Sequence, residues 1–97
     1  MEEEAREYVN SINKNGLKAA FTYGDPAGKD IDLCIVSEKP ELITKPPEGI
    51  DLKVLKPKEF EEKLNHFGKQ AVEFRTIIGK EYLADIIKKL SLKISLK

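Results

Sequence analysis

The heptapeptide Asp30–Val36 (DIDLCIV) constrains this chain more than any other segment. Ile31, Leu33 and Ile35 alternate with Asp30, Asp32, Cys34 and Val36. That period of two predicts a β-strand over 30–36, with an aliphatic face and a second face that begins with two carboxylates. Aspartate is depleted in strand interiors. Two on one face repel each other, and a bound divalent cation relieves that repulsion. The chain has five aspartates, four of them between positions 25 and 51.

The flanking segments supply partners for this strand. Leu17–Tyr23 is apolar and aromatic and reads as a buried strand. Gly24-Asp25-Pro26-Ala27-Gly28-Lys29 reads as the loop between the two. Pro40, Pro46, Pro47 and Gly49 mark 37–49 as a connection, with an extended piece at 41–44. Ile50–Leu55 reads as a third strand, with Ile50, Leu52 and Val54 on one face and Asp51, Lys53 and Leu55 on the other. Ala5, Val9 and Ile12 form the apolar stripe of a helix over 2–14, opened by Glu2, Glu3 and Glu4 and stopped at Asn15-Gly16. Pro57 opens a second helix over 57–67, with Phe60, Leu64 and Phe67 as its stripe and Gly68 as its stop. A further helix is predicted from about 69 to 78, ending at Gly79. Beyond it two patterns compete: Leu83, Ile86, Ile87 and Leu90 have helical spacing, while Leu92, Ile94 and Leu96 alternate as in a strand. This order predicts a single domain over 1–97 of the α/β (α+β) class, a small mixed β-sheet with helices packed on one face.

Composition narrows the function classes. Ninety-seven residues support one modest core. Seventeen basic side chains balance seventeen acidic ones, which disfavours autonomous nucleic-acid binding. The single cysteine, Cys34, excludes an internal disulfide and a cysteine-based zinc site. No apolar run is long enough for a membrane span, and MEEEAREY is unlike a signal peptide, so a cytoplasmic location is expected. Fifteen lysines among the cations and twelve glutamates among the anions give a thermophile-like profile.

Residues 22–36 (TYGDPAGKDIDLCIV) resemble the signature of minimal nucleotidyltransferase domains: a strand, Gly-Ser, a loop, then Asp-x-Asp within a second strand. Residues 49–60 (GIDLKVLKPKEF) are similar to that family's third strand, third carboxylate and following helix. Residues 74–83 (FRTIIGKEYL) are similar to a tail of helix, Gly and apolar strand. The resemblance covers roughly residues 17–83. It implies transfer of a nucleoside monophosphate from an NTP to a hydroxyl, with two Mg²⁺ ions held by Asp30, Asp32 and Asp51. Asp51 is implied to activate the acceptor hydroxyl. Gly24, Asp25 and Lys29 fall at the nucleotide-binding positions. It also implies a protein partner, since small members often work with a separate all-helical chain, some in toxin–antitoxin pairs.

Two departures from the pattern point to an alternative. Asp25 stands where the family has a serine that donates to phosphate. Only four residues separate Asp25 from Asp30, fewer than in the family's phosphate-cradling loop. These features suit a catalytically degenerate protein-binding module on the same scaffold. A third possibility is a fortuitous Asp-x-Asp on an unrelated α+β domain, in which strand 50–55 would not neighbour strand 30–36. Elsewhere the residues read as structural. Asp25-Pro26 is a common turn starter. His66 suits the helix C-terminus, Cys34 is a small buried apolar residue, and the aromatic side chains pack the core or its rim.

Overall fold

The computed structural model of the chain describes residues 2–25, 27–67 and 72–97, with the side chain of Phe67 outside the description. In chain order the elements are α1 (Glu2–Ser11), β1 (Leu17–Tyr23), β2 (Ile31–Ser37), β3 (Ile50–Leu55), α2 (Pro57–Phe67), β4 (Val72–Ile78), α3 (Lys80–Leu90) and β5 (Ile94–Leu96). The strands form one five-stranded sheet in the order β3-β2-β1-β4-β5. β1 is antiparallel to both β2 and β4. β3 runs parallel to β2, and β5 parallel to β4. The sheet is therefore mixed, as the sequence predicts. The radius of gyration, 12.6 Å, is that of a compact chain of this length. Among the described residues no helix is long and apolar enough to cross a membrane.

The alternation of β1 and β2 divides the core. Ala20, Leu33 and Ile35 point to one face, where Ala5, Tyr8, Val9 and Ile12 from α1 and its exit cover them. Ala19, Phe21, Cys34 and Val36 point to the other, beneath Phe60 and Leu64 of α2 and Leu83 and Ile86 of α3. The helices thus cover both faces rather than one. The reason lies in β2: both of its faces are apolar beyond Asp32, so a single helical layer would leave Leu33 and Ile35, or Cys34 and Val36, in water.

Three further expectations are revised. The first helix ends at Ser11, yet Ile12 stays buried just beyond it. Residues 40–42 form a 3-10 turn, with the amides of Leu42 and Ile43 donating to the carbonyls of Lys39 and Pro40, instead of belonging to an extended piece at 41–44. Residues 72–78 are strand β4, not helix, and the segment after Gly79 is helix α3, so the 74–83 tail runs strand, Gly, helix. Pairing to β1 and β5 satisfies the backbone of β4 and overrides its local pattern. The first residues of that predicted helix, 69–71, and the Gly68 stop lie outside the described residues. Gly79 is required at its position. Its φ is +84°, and a Cβ there would stand 2.2 Å from the carbonyl oxygen of Lys18.

Candidate functional site

The β2–β3 register decides where the acidic residues stand. Six consecutive pairs run in parallel from Ile31↔Ile50 to Val36↔Leu55, and Asp32 is paired with Asp51. Across the other edge of β2, Asp32 is paired with Tyr23. Residues in register share a face, so Tyr23, Asp32 and Asp51 form one row across three strands. One step further along lies the row Phe21, Cys34 and Lys53. The arrangement in which strand 50–55 lies apart from strand 30–36 is thereby excluded.

Each member of the first row has a distinct environment. Asp51 is exposed and Asp32 half-buried. Tyr23 is half-buried, and its hydroxyl pKa is raised, first by burial and then by the nearby Cys34, Asp32 and Asp51. Gly24 packs directly on Asp32. Its φ is +80°, and a Cβ there would come within 2.6 Å of the Asp32 Oδ2. Only glycine lets the backbone approach the carboxylate this closely.

A basic side chain braces this corner. Arg75 of β4 pairs through Nε with Glu2 of α1, and its Nη2 donates to the carbonyl of Gly24 at 3.3 Å. Its Nη1 stands 4.0 Å from Glu73 Oε1. Glu2 also accepts from the Thr22 hydroxyl at 3.1 Å. The start of α1, the end of β1 and the middle of β4 are thus tied around Gly24. Neither Glu2 nor Arg75 stands out in the sequence as a site residue. A cation in the middle of a predicted apolar segment is the signal that could have found Arg75.

The remaining predicted site residues are not among the paired members of this row. Asp30 is exposed and lies one residue before β2. Among the described residues no group of three or more His, Cys, Asp or Glu side chains is placed to hold a metal ion. The carboxylate of Asp25 accepts from the Ala27 amide at 2.9 Å, and its carbonyl accepts from the Gly28 amide at 3.0 Å. Asp25 thus accepts from two amides of the turn, those of Ala27 and Gly28; Pro26, the other half of the expected turn starter, lies outside the described residues. Lys29 is exposed in the same turn. His66 sits in the last turn of α2, where a cation suits the helix dipole.

Beside the carboxylate row, between the sheet and α2, opens a cleft of about 430 Å³. The Phe21 and Phe74 rings stack at its floor, 4.1 Å apart, with Phe60 tilted against Phe21 at 5.7 Å. Cys34 also lines it. Burial pushes the Cys34 thiol up to about 12, against the opposing pull of Lys53 and Lys63. The thiol is neutral at physiological pH and is a poor nucleophile.

No family model matches the chain, and no curated protein or solved structure matches it.

Proposed function

We propose that this chain is a nucleotidyltransferase-fold domain that binds a divalent cation between Asp32 and Asp51, and with it the phosphates of an NTP. The observation that carries this reading is the parallel register of Asp32 and Asp51, with the Gly24 backbone held against the first carboxylate. The donor set fits one Mg²⁺. That ion takes one or two carboxylates and completes its shell with water and phosphate oxygens. Bound there, it would neutralise phosphate charge and polarise the reacting phosphorus.

The chain's own part in the transfer is acid–base work and positioning. Asp51, the more exposed of the pair, accepts the proton of the acceptor hydroxyl. The hydroxyl oxygen forms a bond to the α-phosphorus, the bond from that phosphorus to the bridging oxygen breaks, and pyrophosphate leaves. The Arg75–Gly24 bond and the Glu2–Arg75 pair keep the turn against Asp32, where triphosphate would approach the bare Gly24 backbone.

A second reading, a catalytically degenerate protein-binding module, draws support from two observations. The Asp25 carboxylate is occupied in the β1–β2 turn, and among the described residues no third carboxylate joins Asp32 and Asp51. An all-helical partner chain is the occupant this reading implies.

The deciding experiment incubates the protein with α-labelled NTPs and Mg²⁺, alone and with candidate acceptors, beside an Asp32→Asn/Asp51→Asn variant. Mg²⁺-dependent labelling that the variant loses supports the transferase. Binding of Mn²⁺ with NTP but no labelling supports a site without catalysis. Equal behaviour of the two proteins in both assays overturns the proposal.

A further inference from the structure

The cleft between the sheet and α2 has a composition unlike the rest of the core. Its walls are rings and branched aliphatics, Phe21, Phe60, Phe74 and Leu55 among them, and two lysines, Lys53 and Lys63, also line it, both close enough to Cys34 to act on its thiol. Its volume of about 430 Å³ lies within the ~300–1,000 Å³ typical of small-ligand sites. In the row Phe21–Cys34–Lys53 the central side chain is the small Cys34, between two longer ones, and all three line the cleft.

We propose that this cleft binds a small organic anion with an apolar, ring-bearing body, the body among Phe21, Phe60 and Phe74 and the negative group on Lys53 and Lys63.

Charge complementarity fixes the sign of the ligand. Lys53 and Lys63 are both exposed, and among the described residues neither has a carboxylate within ion-pair distance. The cleft's own acid, Glu73, stands opposite Arg75 at 4.0 Å, and Arg75 is held by Glu2 as well. That leaves the two lysines as the cleft's uncommitted charge. Asp32 and Asp51 are not among the walls, but Tyr23 of their row and Gly24 beside them are, so the cleft adjoins the carboxylate row; a titration without metal or nucleotide reads the cleft apart from the transferase proposal. The ring-bearing body follows from the stacked and tilted geometry already present. A flat group extends the Phe21–Phe74 stack at offset or edge distances, whereas a flexible chain gains area only.

Fluorescence titration tests the proposal with two dyes of the same body: 1-anilinonaphthalene-8-sulfonate and its neutral parent, N-phenyl-1-naphthylamine. The native protein is expected to bind the sulfonate at one saturable site, more tightly than the neutral dye. Lys53→Gln/Lys63→Gln, two changes at exposed positions, is expected to weaken the sulfonate by about fivefold and leave the neutral dye unchanged. Cys34→Met fills the floor of the cleft and is expected to weaken both dyes. Near-UV circular dichroism and cooperative thermal unfolding establish that each variant is folded; should Cys34→Met not fold, the lysine variant decides alone. No saturable binding, equal affinity for the two dyes, sulfonate binding indifferent to the lysines, or dye binding indifferent to a folded Cys34→Met overturns the proposal.

Discussion

The two faces of the sheet are built from alternate residues of the same strands, yet they are different materials. Toward α1 the core is closed and, Tyr8 apart, aliphatic: Val9, Ala20, Leu33 and Ile35 are all fully buried. Toward α2 and α3 it is aromatic, with Phe21, Phe60, Phe74 and Tyr23 gathered around a cleft. The carboxylate row stands on this second face. The lesson is a division of labour within a single strand: Leu33 and Ile35 of β2 close the first face, while on the second the half-buried Asp32 and the cleft-lining Cys34 lead to the fully buried Val36.

The sharpest way to break that comparison is to truncate adjacent residues of β2. Leu33→Ala is expected to cost about 3–4 kcal/mol, because the closed face cannot collapse around the lost methyls. Cys34→Ala, one residue on, is expected to cost only about 1 kcal/mol, since its side borders existing space. Chemical denaturation measures both. Equal costs would show that the second face is as tightly packed as the first.

Titration gives a second, smaller contrast. The Cys34 thiol pKa is raised from the ordinary 9.0 to about 12 by burial. The unfolded chain releases that proton from about pH 9, and the folded chain holds it until about pH 12. The contribution is therefore fully present below pH 9 and declines between pH 9 and 12. Cys34→Ala is expected to flatten the stability profile in that window, as read by denaturant midpoints across pH. An unchanged slope would contradict the burial of the thiol.

The smallest expected effect joins the two faces. Glu2→Gln weakens the Arg75 pair and is expected to cost about 0.5–1 kcal/mol, because both partners are partly solvated. Its more telling readout is faster amide exchange at Gly24 and Asp25, the turn that Arg75 holds. Exchange unchanged at those amides would remove Arg75 as the brace of the corner.

The legible and illegible parts of the sequence divide along physical lines. Strands 17–23 and 50–55 and helix 57–67 have the bounds their sequence patterns give, and of the helix stripe Phe60 and Leu64 are buried, while the side chain of Phe67 lies outside the described residues. Strand alternation put Asp32 and Asp51 each on the acidic face of its strand, but the long connection from 38 to 49 left open the pairing that the register shows. Segment 72–78 was not, since Phe74, Ile77 and Ile78 also fit a helical stripe. Its β-branched Val72, Thr76, Ile77 and Ile78 were the available counter-signal. The two-sided core escaped because helices on opposite faces look alike in sequence. The cleft escaped because its walls come from residues distant in the chain, from Phe21 to Ile94. Lys53 was within reach: it shares the face of Asp51 by simple alternation.

The central claim is that Asp32 and Asp51 form one cation site with Gly24 beside it. Paramagnetic broadening of amide resonances by Mn²⁺, recorded with a nonhydrolysable NTP, tests this most directly. The account predicts selective broadening centred on Tyr23–Asp25, Ile31–Leu33 and Ile50–Leu52, absent in Asp32→Asn/Asp51→Asn. Broadening centred elsewhere, or surviving in the double variant, would contradict it.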